Sequence, residues 1–584
     1  MPTLEWIGKS KVVNHHLDVP YCVLDRKYSF DEDGQHEDDN NSGNMIIQGD
    51  NLIALKSLLP QYEGRIKCIY IDPPYNTGNE NWVYNDNVND PRIKKWLGEV
   101  VGKEGEDLSR HDKWLCMMYP RLQLLNRLLS EDGAIFISID DNELRHLCLI
   151  CDEIFGSNNL IATISWQRNY SARNDSKGIS KEAEYILVYG KRGDWQPNLL
   201  PRTEEMDSKY KNIDNDPLGL WRSDNAYAPN AVTHQSMVYA IQNPFTGELI
   251  YPRKTACWRY QQDTMLEIMN GWCEYELRDL DDAAERAEVC GISADEVRKD
   301  VLGIVLSKPL EESRNEALKV QKRGQWPKYY FTKNGRGNIA KKTYLNTSGG
   351  KPPTNLFLHK DVGHTDEAKK EIIGIYGNSS AFDTPKPTRL LERIVQIASD
   401  KDSIILDSFA GSGTTAHAVL NMNKRDGGNR QFILIEMMGY ADTITAERAK
   451  RVINGYGEGK KATEGTGGSF SYYELGKPIF NGDDLNEDIG IDEIRKYVYF
   501  TETKQPLESY RDDEPAYMGM YMDVAYYFNY DKDSATVLNR EFLHTVKSKA
   551  EAYVIYADMC TLSENELVKW NITFKKIPRD ISRL

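Results

Sequence analysis

The sequence lacks the features of exported, membrane-spanning and disulfide-stabilised proteins. No apolar run reaches the roughly 18 residues that a transmembrane helix needs. The first residues, MPTLEWIGKSK, contain no apolar signal-peptide core. The cysteines number only 9 in 584 residues, and an odd, scattered set does not fit a disulfide framework. We therefore expect a cytoplasmic protein without a membrane partner.

Positive charge is also scarce, but it is unevenly spread. The chain has 73 Lys and Arg against 89 Asp and Glu, a net charge of −16, which disfavours a polyanionic partner for most of the surface. Residues 314–351 are the exception, with ten basic residues, one acid and interleaved aromatic rings. Such a mixture suits phosphate contacts and base stacking, although a solvated basic face would look the same. The candidate nucleic-acid contacts are Lys322, Arg323, Lys328, Lys333, Arg336, Lys341 and Lys342.

A chain of 584 residues is too long for one hydrophobic core, so several domains are expected. Strands alternate with helices in two separate stretches, which predicts an α/β fold with a doubly wound, mostly parallel sheet. The stretch between them mixes aromatics, prolines and charges irregularly, and predicts an inserted α+β domain. The acidic, turn-rich residues 28–44 predict an exposed loop, and the polar residues 80–112 a mobile segment. The predicted divisions are an N-terminal segment (1–44), two α/β halves (45–165 and 353–466), the insertion (166–352) and a small C-terminal domain (467–584).

Two short stretches predict a ligand site at the edge of this sheet. From Ile69 the chain reads IYIDPPYNTGN, and from Ile404 it reads IILDSFAGSGTTAHAV, so each is a strand, an acid and a tight turn. Open α/β sheets bind ligands at the carboxyl ends of their strands, and a glycine-rich turn lets the backbone approach a ligand. Thr414 follows where a phosphate-binding loop has lysine, and the dinucleotide spacing is absent. Glu436 ends a later strand and is placed to accept hydrogen bonds from ribose. An adenosine-like ligand without a pyrophosphate is indicated.

The two turns together carry a specific resemblance. DPPY followed, after a long variable region, by FAGSG is similar to the β group of DNA amino-methyltransferases, whose intervening region is the target recognition domain. The phrases IIQGDNLIALKSL, DLSRHDKWLCMMYPRLQLLNRLL, DGAIFISIDDNE and PKPTRLLERIVQIAS resemble the Mod subunit of type III restriction–modification systems. This likeness covers most of residues 45–165 and 380–455. It implies the S-adenosylmethionine-dependent methyltransferase fold, with the insertion as target recognition domain.

The resemblance assigns the catalytic motif to Asp72, Pro73, Pro74 and Tyr75. An amine conjugated to an aromatic ring is a poor nucleophile because its lone pair is delocalised. Asp72 and the carbonyl of Pro73 can each accept one amino hydrogen, which favours a tetrahedral nitrogen, and proline fixes that carbonyl in place. Tyr75 can stack on a base that has left the duplex. No metal is required, because the methyl sulfonium already carries the activating charge.

The resemblance also implies which residues hold S-adenosylmethionine. The glycine turn would bind the methionine part with Phe409 against the adenine, Glu436 would bind the ribose, and Asp50 would meet the adenine amine. Thr384 and Lys386 would lie near the carboxylate end. The expected cofactor residues are therefore Asp50, Thr384, Lys386, Phe409, Ala410, Gly411, Ser412, Gly413 and Glu436.

The substrate and the partners stay open at this point. An aspartate at the first motif position favours adenine-N6 over cytosine-N4 methylation, since cytosine enzymes tend to carry serine there. A chain that acts chiefly as the DNA-specificity subunit of a partner nuclease is a second reading, and RNA as substrate is a third. The resemblance implies double-stranded DNA, a homodimer and a Res-like helicase–nuclease as partners.

Overall fold

The computed structural model describes residues 3–77, 110–170, 179–377, 381–507 and 513–584, together with residues 95, 98, 99 and 511. The chain divides into two compact units. The sheet unit comprises Met1–Asn198 and Pro352–Leu584, and the inserted unit comprises Leu199–Lys351. Within the described ranges, no helix combines the length and the apolar character needed to cross a membrane. Most of the segment predicted over 80–112 lies outside the described residues.

The sheet unit is built on one sheet of eleven strands. The six strands at its centre, in the order β5-β4-β9-β10-β3-β11, all run parallel. β8 pairs parallel with β6, whereas β7 and the β1–β2 pair run antiparallel to their neighbours. The full order is β8-β6-β7-β5-β4-β9-β10-β3-β11-β1-β2. The strands are β1 Cys22–Asp31, β2 Gly34–His36, β3 Met45–Gln48, β4 Ile66–Ile71, β5 Leu129–Ile139, β6 Leu160–Gln167, β7 Ala183–Gly190, β8 Leu356–Phe357, β9 Ile404–Asp407, β10 Gln431–Glu436 and β11 Phe470–Pro478.

Both faces of this sheet are buried, which confirms the predicted doubly wound arrangement. In β4, Ile69 and Ile71 join a core cluster with helix residues such as Leu55 and Leu122. Alternate strand residues point to opposite faces, and Cys68 and Tyr70, on the other face, are buried as well. Continuous apolar runs of this kind are typical of parallel strands covered by helices on both sides. The main helices are α1 Asn51–Tyr62, α2 Arg110–Leu128, α3 Leu144–Cys151, α4 Thr388–Ala398, α5 Thr414–Asp426 and α6 Glu447–Asn454.

Three boundaries differ from the sequence-based prediction. The insertion begins at Leu199 and not at 166, because β6 and β7 pair with the edge of the large sheet. The predicted loop at 28–44 contains the end of β1 and all of β2, since both strands pair at the opposite edge. Strand β11 lies beside β3, so the sheet continues past the predicted boundary at 467. Antiparallel edge strands carry no helical crossover, and their sequence pattern therefore does not mark them as part of an α/β sheet.

The remaining C-terminal residues form a second, smaller sheet within the sheet unit. Its strands are Tyr517–Tyr521, Val524–Phe528, Ala552–Ala557 and Ile572–Lys576. The last three run parallel to one another. Some of their buried residues, such as Tyr527 and Ile555, form a separate core, whereas others, such as Phe528 and Tyr556, belong to the core of the large sheet. Other helices in this unit span Lys9–Val12, His15–Asp18, His359–Val362, Thr365–Tyr376, Ile491–Thr503, Arg540–Leu543 and Glu564–Lys569.

The inserted unit is α+β, as predicted, with an aromatic-rich core. A three-stranded antiparallel sheet pairs Tyr329–Phe331, Ile339–Tyr344 and Trp221–Asn225. A four-stranded sheet contains Leu249–Ile250, Ile241–Gln242, Gly303–Leu306 and Tyr275–Arg278, and Ala256–Trp258 pairs with Tyr227–Pro229. The helices span Glu204–Asp207, Gln262–Met269, Ala283–Cys290 and Leu310–Arg323.

Lys342 does not fit its predicted role as a nucleic-acid contact, because its side chain is wholly buried in this unit. Its ammonium donates to Asp214 and Asp216, at 2.5 Å each, and to the carbonyl of Trp326 at 2.8 Å. The side-chain exposures of the two acids are 0% and 6%. Buried charges require a partner of opposite sign, and this lysine supplies it. Lys342 is a core residue of the inserted unit, and the prediction for it is wrong.

Lys342→Ala should destabilise the inserted unit rather than remove a surface contact. The substitution leaves two buried carboxylates without their cation, which costs about 3–5 kcal/mol of unfolding free energy. Trp221 donates to Asp214 at 2.7 Å, so tryptophan fluorescence during urea unfolding reports this region. The half-buried neighbour Lys341, changed to alanine, is the matched control and should cost less than about 1 kcal/mol. An unchanged unfolding midpoint in Lys342→Ala would contradict the assignment.

Candidate active site

Four neighbouring strands end in acids at the same edge of the sheet. In the order β4, β9, β10 and β3, the acids are Asp72, Asp407, Glu436 and Asp50. Asp72 directly follows β4, and Asp50 lies two residues after the end of β3. Asp407 and Glu436 are the last residues of β9 and β10. Strands adjacent in a parallel sheet bring their carboxyl ends together. The two turns selected from the sequence, more than three hundred residues apart, are therefore neighbours.

The DPPY turn carries a hydrogen-bonded network around Asp72. The hydroxyl of Tyr75 donates to Asp72 Oδ1 at 2.8 Å. Lys386 Nζ donates to both carboxylate oxygens, at 2.7 and 2.6 Å, and to the Tyr75 hydroxyl at 2.9 Å. Burial raises the pKa of Asp72, while the ammonium of Lys386 acts in the opposite direction. A carboxylate has about four lone-pair sites, so Asp72 is suited to accept hydrogen bonds from several donors at once.

The backbone of the DPPY turn is fixed by side chains behind it. The indole N–H of Trp114, on α2, donates to the carbonyl of Pro74 at 2.6 Å. Pro73 and Pro74 are buried and have restricted φ angles. Asn76, the next residue, has a φ of 60° and donates its amide to the carbonyl of Arg110 at 3.2 Å. The turn is therefore held in one conformation by its surroundings.

The glycine turn is equally constrained. Gly411 and Gly413 have φ angles of 51° and 77°, a region that favours glycine. A Cβ on Gly413 would lie 2.8 Å from the carbonyl of Thr445. Asp407 accepts the backbone N–H of Phe409 at 3.0 Å and the hydroxyl of Thr415 at 2.5 Å. The conformation of this turn therefore depends on glycine at Gly411 and Gly413 and on the hydrogen bonds that Asp407 accepts.

A buried arginine supports the same turn from α6. Arg448 donates to the hydroxyls of Ser412 and Thr414, at 3.0 and 2.8 Å. It also donates to Glu371 at 2.8 Å and to Thr388 at 2.9 Å. The side chain is fully buried, and Glu371 provides the compensating charge. The hydroxyls of the turn are therefore oriented by a charged partner.

Glu436 and Asp50 lie at the ends of adjacent strands. Glu436 accepts the backbone N–H groups of Gly411, at 2.8 Å, and Met438, at 2.9 Å. Burial raises the pKa of Glu436 to about 7. Asp50 caps α1 by accepting the N–H groups of Leu52 and Ile53. The predicted ribose acid therefore contacts the glycine turn directly, and the predicted adenine-amine acid begins the neighbouring helix.

A small cavity lies between the two turns. It brings together seven of the residues predicted from the sequence, namely Asp72, Thr384, Lys386, Phe409, Ala410, Gly411 and Ser412. The predicted residues Tyr75, Asp50, Gly413 and Glu436 are outside its lining, although Glu436 contacts Gly411. The observed partner of Lys386 is Asp72, so this lysine lies at the catalytic motif as well as at the cavity wall.

Two acids of this site are not among the predicted site residues. Asp407, the acid before the glycine turn, lines the cavity, and burial raises its pKa to about 7. Glu184, on β7, lies 3.4 Å from the Tyr75 hydroxyl and 3.9 Å from Lys386 Nζ, and is paired with Arg168. A glutamate within the apolar strand AEYILVYG is the one feature of the sequence that points to it.

Five of the seven predicted nucleic-acid contacts are exposed on the inserted unit: Lys322, Arg323, Lys328, Lys333 and Arg336. Lys341 is half-buried and Lys342 is the buried core residue described above. Lys328 Nζ also donates to the hydroxyl of Tyr260 at 2.9 Å. Lys322 and Arg323 form the last turn of the helix Leu310–Arg323. Their roles stay predictions.

The sequence is similar to known DNA-modifying proteins. A family model described as DNA methylase matches residues 66–447. The StyLTI Mod subunit of a type III restriction-modification enzyme from Salmonella typhimurium is 33% identical over 76% of this chain and 61% of its own length. The EcoPI Mod subunit from Escherichia phage P1 is 30% identical over 74% of this chain and 63% of its own length. The type II methyltransferase M.KpnI from Klebsiella pneumoniae is 31% identical over 68% of this chain and 81% of its own length.

These relatives differ in how much of their length they share with the chain. The chain spans about three-fifths of the two Mod subunits and four-fifths of the type II enzyme. The family match covers both turns, the strands that carry them and the whole inserted unit. The chain belongs to the DNA methylase family.

Proposed function

We propose that the protein transfers a methyl group from S-adenosylmethionine to the N6 amine of a flipped-out adenine in double-stranded DNA. The observation that carries this proposal is the adjacency of the two turns. Asp72 ends β4, the glycine turn follows β9, and Leu406 of β9 pairs with Ile69 of β4. A group held by the glycine turn would therefore lie next to an acceptor for an amine.

The residues around the cavity fit the proposed cofactor. Two buried acids, Asp407 and Glu436, and the partly buried Asp72 meet at this edge, with Lys386 as the ammonium among them. Such an edge suits a positively charged sulfonium better than a pyrophosphate. When bound, S-adenosylmethionine supplies a methyl group on a positively charged sulfur.

The chain's own residues would prepare the amine. Asp72 would accept one amino hydrogen, and the carbonyl of Pro73 would accept the other, so that the nitrogen lone pair turns out of the ring plane. Tyr75 would stack on the base while its hydroxyl keeps the carboxylate of Asp72 oriented. Lys386 favours the ionised form of that carboxylate and so opposes the burial that raises its pKa. These groups are already in place, which limits reorganisation during the reaction.

Adenine is the favoured base, and cytosine is the second candidate. Both amines have the same need for two acceptors, so the geometry around Asp72 serves either one. The aspartate at the first position of DPPY supports adenine-N6, since the resemblance associates serine at that position with cytosine-N4 enzymes. The relatives named as Mod subunits support a role as the modification and specificity subunit of a type III-like system. A Res-like helicase–nuclease and a second copy of the chain are the proposed protein partners.

The affinity for S-adenosylmethionine should rise with pH through about 7. Burial raises the pKa of Glu436 to about 7, so its carboxyl loses a proton as the pH rises through that value. The ionised form can accept hydrogen bonds from both ribose hydroxyls, whereas the protonated form has fewer acceptor sites. Glu436→Gln should bind about 10–100-fold more weakly at pH 8. Its affinity should depend less steeply on pH than that of the wild type, with Asp407, whose pKa burial also raises to about 7, accounting for the rest. Calorimetric titration at pH 6, 7 and 8 measures both effects.

The exposed Glu551, directly before the strand Ala552–Ala557 of the smaller sheet, provides the control for that titration. Glu551→Gln makes the same chemical change outside the large sheet and should leave affinity and its pH profile unchanged. A Glu436→Gln protein that keeps the wild-type profile would refute the ribose role of Glu436.

Single-molecule sequencing of DNA from cells that express this chain alone tests the proposed function. It reports the methylated base, its position and the recognition sequence together. We expect N6-methyladenine at one position of a defined sequence. N4-methylcytosine at a defined sequence would instead support cytosine as the substrate base. Unmodified DNA would contradict methyl transfer by this chain alone and favour a chain that acts chiefly as a DNA-specificity subunit.

A further inference from the structure

Two histidines and a glutamate converge behind the DPPY turn. His111 lies in the first turn of α2, Glu143 directly precedes α3, and His146 lies within α3. Nδ1 of His111 is 2.7 Å from Glu143 Oε1, and Nδ1 of His146 is 2.8 Å from Oε2. One donor atom from each side chain lies within 4.8 Å of the others. The two imidazole rings are 4.6 Å apart, centroid to centroid.

Glu143 is a fully buried carboxylate that needs a positive partner. Its side-chain exposure is 0%, and among the described residues it forms no ion pair with a lysine or arginine. The amide of Asn76 donates to Oε1, but this group is neutral. A buried carboxylate is stable when paired with a cation or bound to a metal. Among the described residues and the ions they could bind, the candidates for this cation are an imidazolium of the two histidines and a metal ion.

An unsatisfied oxygen lies at the edge of the same cluster. Asn76 is fully buried, and its Oδ1 has no hydrogen-bond partner within the described ranges. Buried polar atoms without partners are rare in native proteins and commonly mark an absent ion or water. An amide oxygen is also an acceptable metal ligand.

We propose that His111, Glu143 and His146 bind a divalent transition-metal ion of the zinc type. Two imidazoles and one carboxylate are a donor set that suits Zn²⁺, Co²⁺ or Ni²⁺, whereas Mg²⁺ and Ca²⁺ prefer all-oxygen sites. The exposed fractions of the His111 and His146 side chains, 42% and 31%, give an ion access from solvent. On binding, each imidazole presents an unprotonated nitrogen, and any imidazolium proton is released to solvent.

This ion would support the catalytic turn without entering the methyl transfer. Glu143 contacts Asn76, which directly follows Tyr75, so the ion would lie behind the DPPY turn. Trp114, on α2 with His111, holds the Pro74 carbonyl of the same turn. The metal would thus join α2 and α3 at the point where both contact this turn.

Competition with a chromophoric zinc chelator tests the site on the full chain, prepared without a histidine tag and stripped of metal. We expect one tightly bound Zn²⁺ per chain, and visible absorption of Co²⁺ with imidazole ligands when cobalt replaces zinc. His111→Ala and His146→Ala should each weaken zinc binding by at least about tenfold, since loss of a supporting partner alone costs that much. Because both side chains are partly exposed, the variants should keep the wild-type circular dichroism spectrum.

A second histidine–carboxylate pair in the chain provides the matched control. His36 Nε2 is 2.8 Å from Asp31 Oδ1 on the β1–β2 hairpin, with one imidazole and one carboxylate. His36→Ala should leave zinc affinity and the cobalt spectrum unchanged. The proposal fails if wild-type protein binds no more zinc than His146→Ala, or if His36→Ala removes the same ion. Glu143→Gln is an independent test of the site. This variant keeps both histidines, and loss of the carboxylate ligand should abolish the cobalt absorption.

Discussion

Asp72→Ala should lower the rate of methyl transfer by about a thousandfold while S-adenosylmethionine and DNA still bind. The carboxylate contacts Lys386 and Tyr75 at the catalytic turn, and the proposed hydrogen bond to the amine matters mainly as the nitrogen becomes tetrahedral. Interactions of that kind change the rate of the chemical step more than ground-state affinity. Single-turnover transfer of labelled methyl groups to DNA measures the rate, and separate titrations measure the two affinities.

Asp402→Ala is the control for this experiment, because Asp402 is exposed in the loop before β9. It should transfer methyl groups at the wild-type rate. Asp72→Asn keeps the shape of the side chain and should also be strongly impaired, since the lost charge cannot balance Lys386. An Asp72→Ala protein that transfers within about tenfold of wild type would remove Asp72 from the mechanism.

The sheet could be predicted from the sequence because parallel strands and their turns leave local signals. The buried runs IKCIYI and QFILIE, and the glycines after Asp407, follow from local packing and φ restrictions. The strands at the β1–β2 end of the sheet could not be found in the same way. β1 and β11 pair through residues that are distant in the chain, such as Tyr28 with Tyr472, and β2 joins the sheet only through its hairpin with β1. Long-range pairing of this kind has no local periodicity.

The candidate site was predictable to the extent that its residues belong to motifs. Asp72, Glu436 and the glycine turn were selected because each ends a strand, and their adjacency follows from the strand order. Glu184 was missed because it comes from an antiparallel strand that carries no turn motif. Lys342 was misassigned because composition cannot distinguish an exposed lysine from one that compensates two buried acids. Burial depends on tertiary contacts, and residue type alone does not encode it.

Neutralising Lys322, Arg323 and Lys328 together should weaken DNA binding to all sequences alike. All three are exposed on the inserted unit, where they lie at or just after the end of the helix Leu310–Arg323. Each lost phosphate contact should reduce the slope of log affinity against log salt by about 0.9, so three contacts lower it by nearly three. At moderate salt the affinity should fall by about two orders of magnitude or more. Fluorescence anisotropy with cognate and scrambled duplexes across a salt series measures both quantities.

Three other cations of the inserted unit form the matched control for the triple variant. Lys254, Arg278 and Arg298 are each paired with a neighbouring acid, namely Glu288, Glu276 and Asp300. Their joint replacement by glutamine removes the same formal charge, but these side chains are already engaged, so the salt slope should change by much less. Because the whole chain carries a net charge of −16, other surfaces should add little background binding. Equal effects of the two triple variants would show a general charge effect, and an unchanged slope in the first would make residues 314–351 a solvated face.

A residue that reads bases would behave differently when it is replaced. Its loss should cost about 1–3 kcal/mol of binding free energy on the cognate duplex alone, and the salt slope should stay at the wild-type value.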